Sequence, residues 1–309
     1  MSVPAQDRIV LVFGSARGGT TYLTEFLDDW FDVGMGPEGT FIRPLFRRRS
    51  RYGDLAREDG RRRLAADICD SEMMRIMRDV WPEDERIDVT PDTVLAKVRE
   101  HSFGGVVQAA FASVAELRGK QHLGSKDPSF WSYWPILPEV FGDRARYVCI
   151  VRDGRDVALS LSKLSWGEKS VYLAAKRWVS YLEALQTMRE QLPPGSVAVI
   201  RYEDFLADGD AAVAFLEDAT GIELPADRRA AAVHAIESND YINRLYKWRR
   251  QMSARDVAIF EGVAQRWLAH YGYDVTGGGI RLGPLARLYD HGKDLQRKVQ
   301  LTLKRARSH

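Results

Sequence analysis

The stretch RIVLVFGSARGGTTYLTEFLDDW, residues 8–30, constrains the fold more than any other part of the chain. Residues 9–13 form a short apolar, β-branched run, which is typical of a buried parallel strand. A glycine-rich turn follows, and apolar residues then recur with the period of one helix face. A strand, a glycine-rich turn and a helix N-terminus together form a phosphate cradle, because backbone N–H groups and the positive end of the helix dipole point at the anion.

The turn comes close to the nucleoside-triphosphate loop G-x-x-x-x-G-K-[ST], with Gly14 and Gly19 as its fixed glycines. Thr20 stands where that motif requires lysine. Because this lysine contacts the terminal phosphates of a triphosphate, its absence argues against ATP or GTP as the ligand. Arg17 places a cation earlier in the turn, and we interpret the loop as a site for a phosphate that this cation contacts. An ordinary glycine turn with a solvated Arg17 is the alternative.

Further apolar runs near residues 122–128, 147–151 and 197–200 predict strands, with helical patterns between them. Residues 31–53 are interrupted by glycine and proline, which predicts a loop. Alternating strands and helices imply a parallel, doubly wound sheet. The predicted fold class is therefore α/β, with a P-loop-type parallel sheet flanked by helices.

Four polar side chains directly follow the predicted strands: Arg17, Lys126, Arg152 and Tyr202. In open parallel sheets, ligands bind beyond the carboxyl ends of the strands. We therefore expect these four side chains to converge on one site. Residues 152–160, RDGRDVALS, carry Arg152 at a strand end and Ser160 one to two helical turns later, which suits a second phosphate. Together with the first loop, this pattern suggests a nucleotide phosphorylated at two distant positions.

Composition limits the classes of partner. The 309 residues carry a net charge of +2, from 45 basic and 43 acidic side chains, so no global field favours a polyanion and we expect no nucleic-acid partner. Cys69 and Cys149 have no metal-ligand spacing. The sequence shows no apolar targeting region and no long apolar span, and we expect a cytoplasmic protein.

Two segments stand apart from the predicted strand–helix alternation. Residues 54–80 and 92–117 have helical spacing, and we expect a helical insertion over residues 43–118 that lies over the active site. Residues 1–275 would form one domain that includes this insertion. Residues 276–309 form a basic amphipathic tail, with apolar residues at Leu285, Leu288, Leu295, Val299 and Leu303. A helix packed on the domain is the simplest interpretation of the tail; a peripheral membrane contact and a homodimer stay open.

At these motifs the sequence resembles the sulfotransferases that use 3′-phosphoadenosine 5′-phosphosulfate (PAPS). SARGGTTYL is similar to the family's 5′-phosphosulfate loop, and VRDGRDVALS to its 3′-phosphate motif. LGSKDPSFW, RDGRD and RYEDF in this order resemble the tyrosylprotein branch and its bacterial relatives. The resemblance covers most of residues 8–275, without the arginine-rich segment at 47–63 or the tail. It implies PAPS as cosubstrate, 3′-phosphoadenosine 5′-phosphate (PAP) as product, and no metal.

The resemblance also implies roles for individual residues. Arg17 and Lys126 would contact the transferring sulfuryl group, and Glu38 would be the base. The implied cofactor-binding residues are Arg17, Gly18, Gly19, Thr20, Thr21, Arg152, Ser160, Tyr202, and Lys247 or Arg249. Gly18 replaces the serine that is common in the family loop. Cytosolic relatives carry a catalytic histidine two residues after the lysine, where this chain has Pro128, so Asp127 and His122 stay open as alternatives to Glu38.

Sulfuryl transfer resembles phosphoryl transfer, in which positioning and cations dominate and a base must reach the acceptor hydroxyl. We expect the acceptor to be a carbohydrate, lipid or small molecule rather than a protein tyrosine. The arginine-rich segment would suit an anionic acceptor, although a solvated face is its simpler interpretation. Two other classes compete with a sulfotransferase: a P-loop nucleotide kinase, and a non-catalytic module that binds the nucleotide.

Overall fold

The computed structural model describes residues 8–36 and 38–290, together with residues 292 and 294. The described strands form one parallel five-stranded sheet in the order β2-β3-β1-β4-β5. They are β1 (Ile9–Gly14), β2 (Val33–Met35), β3 (His122–Lys126), β4 (Ala145–Val151) and β5 (Val197–Arg201). This arrangement confirms the predicted parallel sheet flanked by helices.

The helices cover both faces of the sheet. In chain order they are α1 (Thr20–Trp30), α2 (Ile42–Arg47), α3 (Glu58–Cys69), α4 (Glu72–Asp79), α5 (Pro91–Leu95), α6 (Phe103–Leu117), α7 (Leu137–Phe141), α8 (Gly154–Ser162), α9 (Val171–Gln191), α10 (Tyr202–Ala207), α11 (Gly209–Thr220), α12 (Ala226–Glu237), α13 (Trp248–Gln251) and α14 (Ala254–His270).

Strand β1 lies at the centre of the sheet, and all its residues are buried. Its side chains alternate between two apolar cores: Ile9 and Phe13 point into one, and Val10 and Val12 into the other. Because β1 is buried on both faces, it forms a continuous apolar run. Strands β3 and β4 flank β1, so the residues that follow these three strands lie at one edge of the sheet.

The segment between α1 and β3 differs from its sequence-based prediction. Residues 31–53 were expected to form a loop, but they contain β2 and α2. A run of three residues in β2 is too short to show a strand pattern in the sequence. The two long helical patterns that follow are divided into α3 and α4 and into α5 and α6. The Ser102 side chain caps the start of α6 and so separates it from α5, whose own start is capped by Thr90.

Residues 276–290 run over α14. Thr276 donates from its hydroxyl and its backbone N–H to Glu261, and the backbone N–H of Ile280 donates to Ala258. Residues 284–290 are helical, with Leu285 and Leu288 exposed. The tail positions Leu295, Val299 and Leu303 lie outside the described residues. Among the helices that the structure describes, none has both the length and the apolar content that crossing a bilayer requires.

Candidate active site

The loop between β1 and α1 is a tight turn with two residues in the left-handed region. Arg17 has a φ of 68°, and Gly19 has a φ of 102°. The backbone N–H of Gly18 donates to the Ser15 carbonyl oxygen at 2.8 Å and closes the turn. At Gly19 a Cβ atom would lie 2.4 Å from the Tyr202 ring, so glycine is required there by conformation and by space. The left-handed conformation at Arg17 costs about 1–3 kcal/mol, which is typical of a functional loop.

Arg17 joins the two phosphate motifs. Its Nε donates a 3.1 Å hydrogen bond to the Ser160 hydroxyl, which lies near the end of α8. α8 starts directly after β4, next to β1, and this adjacency brings the two motifs together although they are far apart in the sequence. The two sequence motifs therefore lie side by side in the structure.

Arg152 follows β4 and lies against Tyr202, which follows β5. The Arg152 guanidinium carbon is 4.7 Å from the centre of the Tyr202 ring, and its Nη2 is 3.7 Å from Asp156 Oδ2. Burial raises the pKa of Tyr202, while the Arg152 charge lowers it. The buried Nε of Arg152 has no hydrogen-bond partner among the described residues. A buried N–H without a partner is expensive, so it is available to an anionic ligand.

These side chains line a cavity of about 520 Å³, a size that suits a nucleotide. Eight residues that the sequence singled out line it: Arg17, Gly19, Thr20, Thr21, Arg152, Ser160, Tyr202 and Lys247. The sequence reasoning missed seven others: Tyr22, Glu25, Asp156, Leu159, Lys163, Tyr241 and Arg244. Tyr22, Asp156 and Leu159 lie inside the two phosphate motifs, where the sequence gave them no role. The others, Glu25, Lys163, Tyr241 and Arg244, lie outside both motifs.

Gly18 and Arg249 do not line this cavity. Gly18 lies inside the turn, where a Cβ would be 2.7 Å from the Ser15 carbonyl oxygen. Arg249 forms an ion pair with Asp274 and stacks on the ring of Tyr246. Of the two alternatives in the late loop, Lys247 thus faces the cavity and Arg249 faces away from it.

The late loop is fixed by two consecutive residues of α8. Asp156 Oδ1 accepts a 2.9 Å hydrogen bond from the Trp248 backbone N–H, and the Arg155 guanidinium carbon lies 3.6 Å from the Trp248 ring centre. Arg155 is fully buried, and it binds Asp153 and Glu261, each at 2.8 Å. Burial raises the pKa of Asp156, while the bond from Trp248 lowers it. These contacts hold Lys247 at the cavity, and sequence spacing could not indicate them.

Lys126 ends β3, and its Nζ lies 2.7 Å from Glu38 Oε1. The two side chains are 17% and 32% exposed, so the pair is open to a ligand on one side. Neither residue lines the 520 Å³ cavity. The Lys126 charge nevertheless reaches Glu25, which does line it: burial and Asp29 raise the pKa of Glu25, and Lys126 lowers it. The pair therefore lies beside the cavity.

The structure weighs against Asp127 and His122 as bases. Asp127 is 1% exposed, and its carboxylate accepts from the Tyr133 hydroxyl at 2.5 Å and from the Ser129 backbone and hydroxyl at 2.7 Å. These bonds fix the turn after β3 and leave Asp127 no access to an acceptor. His122 begins β3, about 13 Å from Lys126 at a rise of about 3.3 Å per residue, so it lies at the opposite edge of the sheet.

In chemical terms, the site combines the two motifs predicted to bind anions with an adjacent lysine–glutamate pair. The cations Arg17, Arg152 and Lys126 suit a ligand with several oxyanionic groups. Within the part of the chain that the structure describes, no group of three or more His, Cys, Asp or Glu side chains has the proximity to hold a metal ion.

The sequence matches a family model described as the sulfotransferase family over residues 10–226. No curated protein sequence matches it significantly. Among solved structures, the sulfotransferase domain from the Synechococcus PCC 7002 olefin synthase is 19% identical, with a TM-score of 0.54, and the match covers 87% of this chain and 95% of that one. The sulfotransferase domain from the curacin biosynthetic pathway is 16% identical, with a TM-score of 0.56 and coverages of 89% and 100%. Both similarities concern the fold.

Proposed function

Because the chain belongs to the sulfotransferase family, we propose that it moves a sulfuryl group from PAPS to an acceptor hydroxyl. The acceptor in this proposal is a carbohydrate, a lipid or a small molecule. The chain is an enzyme of the transferase class by its family; the identity of the donor and the class of the acceptor are what we propose.

One observation carries the donor assignment: the two anion motifs meet in one cavity through the Arg17–Ser160 hydrogen bond. A ligand that occupies both regions needs two separate phosphate groups. In PAPS, the 5′-phosphosulfate would bind the loop that ends at Thr21, where α1 presents its N-terminus. The 3′-phosphate would bind Arg152, whose buried Nε has no described partner, and Ser160.

The aromatic side chains of the cavity suit the adenine. Tyr202 packs against Gly19, and Tyr241 lies 5.0 Å from Tyr22 between ring centres. Lys247 and Arg244 also line the cavity and add positive charge, and Arg244 lies over the Tyr241 ring. An aromatic wall beside a set of cations is the composition that a phosphorylated nucleoside requires, since the base and the phosphates need different partners.

In the proposed reaction, the acceptor oxygen attacks sulfur in line with the bond that breaks. The S–O bond to the 5′-phosphate breaks, PAP leaves, and the hydroxyl proton moves to Glu38. Arg17 and Lys126 stabilise the charge on the sulfuryl oxygens and on the leaving phosphate oxygen. Lys126 also orients Glu38 through their 2.7 Å contact. Cationic side chains supply the charge in this scheme, and we assign no metal.

The acceptor side follows from the position of Glu38. Glu38 directly precedes a short 3-10 helix, Gly39–Phe41, and then α2. Since the base must reach the acceptor hydroxyl, we propose that the helical insertion at 43–118 borders the acceptor and acts as its lid.

The test is binding followed by transfer. Isothermal titration calorimetry in the presence of EDTA should give low-micromolar or tighter binding of PAP, and much weaker binding of adenosine 5′-phosphate. Radiolabelled PAPS should then label an acceptor in a cell extract. Absent PAP binding contradicts the donor assignment, and binding without any transfer indicates the non-catalytic module. A magnesium-dependent thermal shift with ATP but not with PAP would favour the kinase.

A further inference from the structure

The segment after Glu38 contains arginines that the donor site does not use. Several of them are held within the protein, by backbone carbonyl oxygens or by carboxylates: Arg48, Arg49, Arg61, Arg62 and Arg63. These contacts fix the turns around α2 and α3. Their role is therefore structural, because their guanidinium groups already bind atoms of the protein.

Arg43 and Arg47 behave differently. Their side chains, like those of Arg51 and Arg57 further along, form no hydrogen bond or ion pair with any residue that the structure describes. The Arg43 guanidinium lies over the Tyr133 ring. The two residues are four positions apart in α2, so they lie on one face of the helix. Arg43 is partly buried, and Arg47 is exposed. Two unpaired cations on one helix face repel each other unless an anion lies between them.

Arg43 is connected to the segment of the proposed base through Tyr133. Its guanidinium carbon is 5.9 Å from the centre of the Tyr133 ring, and the Tyr133 hydroxyl contacts the Gly39 carbonyl oxygen at 3.3 Å. Gly39 directly follows Glu38 in the chain. Arg43 does not line the donor cavity. It is thus a cation on the acceptor side of the transfer site.

We infer that the acceptor carries an oxyanionic group, a carboxylate, sulfate or phosphate, that binds Arg43 and Arg47. This inference rests on the proposed function. Guanidinium groups bind these oxyanions with paired hydrogen bonds.

The experiment separates acceptors by charge before the reaction. A cell extract is passed over an anion exchanger, and the unretained and retained pools are each incubated with radiolabelled PAPS and the enzyme. We expect label in the retained pool. The retained acceptor is then treated with phosphatase or desulfated and passed over the exchanger again. Loss of retention after phosphatase indicates a phosphate, and loss after desulfation indicates a sulfate. Retention that survives both treatments indicates a carboxylate.

Variants connect the result to the two arginines. We expect Arg43→Gln to raise the KM for the retained acceptor at least about tenfold, the loss typical of a charged hydrogen bond, and to leave the KM for PAPS unchanged. Arg43→Lys should restore part of the effect, because the charge returns without the planar fork. Arg62→Gln, which removes an exposed arginine bound to Glu58 and Asp92, is the matched control. Melting temperatures verify that each variant is folded.

The possible outcomes separate the two proposals. Label in the retained pool together with an Arg43-dependent KM supports the inference. Label only in the unretained pool, or a KM that Arg43→Gln and Arg62→Gln leave equally unchanged, overturns the inference while the sulfotransferase assignment stands. PAP binding without label in either pool overturns the proposed transfer, and the inference with it.

Discussion

Around the donor cavity, most charged side chains contact other parts of the chain, whereas beside Glu38 two arginines have no described hydrogen bond or ion pair. Arg17 binds Ser160, and Arg155 and Asp156 hold the late loop against α8. Arg43 and Arg47 form no hydrogen bond or ion pair with the described residues, and Arg43 only lies over the Tyr133 ring at 5.9 Å. A site prepared in advance suits a ligand that never changes, such as a nucleotide donor. An open set of cations suits the acceptor, whose identity differs between enzymes of one fold.

The largest effect should come from the acceptor side, where Glu38 can be compared with Glu25. Glu38→Gln should lower kcat by about 10²–10⁴-fold, the usual contribution of a general base, without weakening PAP binding. Glu25→Gln is the matched control, since the Lys126 charge also acts on Glu25, which lines the donor cavity. Single-turnover kinetics with the labelled acceptor measures the rate of transfer for both variants. If Glu25→Gln causes the larger loss of kcat, the base lies on the donor side.

Arg17 lies at the boundary between the two regions. Arg17→Ala should lower kcat by about 10²–10³-fold, the loss typical of one group that stabilises transition-state charge. PAP has lost the sulfuryl group that Arg17 is proposed to contact, so its affinity should change much less. Comparing kcat with the Kd for PAP checks this point. An equal loss in both quantities would indicate that Arg17 only binds the nucleotide.

Arg152 tests the donor region alone. Arg152→Ala should weaken PAP binding by about 10–100-fold, because hydrogen bonds to charged groups contribute about 1.5–3 kcal/mol. Binding of adenosine 5′-phosphosulfate, which has no 3′-phosphate, should stay the same. Calorimetry with each nucleotide gives the ratio of the Kd of Arg152→Ala to the Kd of the wild type. A parallel loss for the two nucleotides would place the 3′-phosphate elsewhere.

The sequence predicted the donor region far better than the acceptor region. Arg17, Arg152 and Tyr202 line one cavity because a parallel sheet brings residues that follow its strands to one edge, and Ser160 was singled out by its spacing after Arg152. Lys126, the fourth residue singled out in this way, lies beside the cavity. The contact of Asp156 with the Trp248 backbone could not be predicted, since it depends on how a late loop packs against α8. β2 was missed because three buried residues give no period.

The acceptor region shows a different limit of sequence reasoning. The arginines of the segment at 43–63 look alike in the sequence, but the structure divides them into those that bind backbone oxygens or carboxylates and those that do not. This division depends on how side chains from different helices and turns of the segment are placed in the fold. Composition alone therefore predicted a basic face, but it could not predict which arginines are left unpaired for a ligand.

The smallest expected effect concerns pH and the scaffold of the donor region. Burial raises the pKa of Asp156 above its value of 3.8 in an unfolded chain, so the folded protein holds this proton more tightly. Because the ionised form is disfavoured in the folded state, the free energy of unfolding falls as pH rises from about 4 through the raised pKa.

Asp156→Asn isolates this contribution, because the amide oxygen can still accept from the Trp248 N–H while the charge is removed. The difference in melting temperature between Asp156→Asn and the wild type should move in favour of the variant as pH rises from 4 to 7. Since Arg152 loses its 3.7 Å neighbour in the same variant, the comparison should be repeated with PAP bound. A difference that is constant with pH would mean that the charge of Asp156 is compensated in the folded state, as it would be if Arg152 paired with it fully.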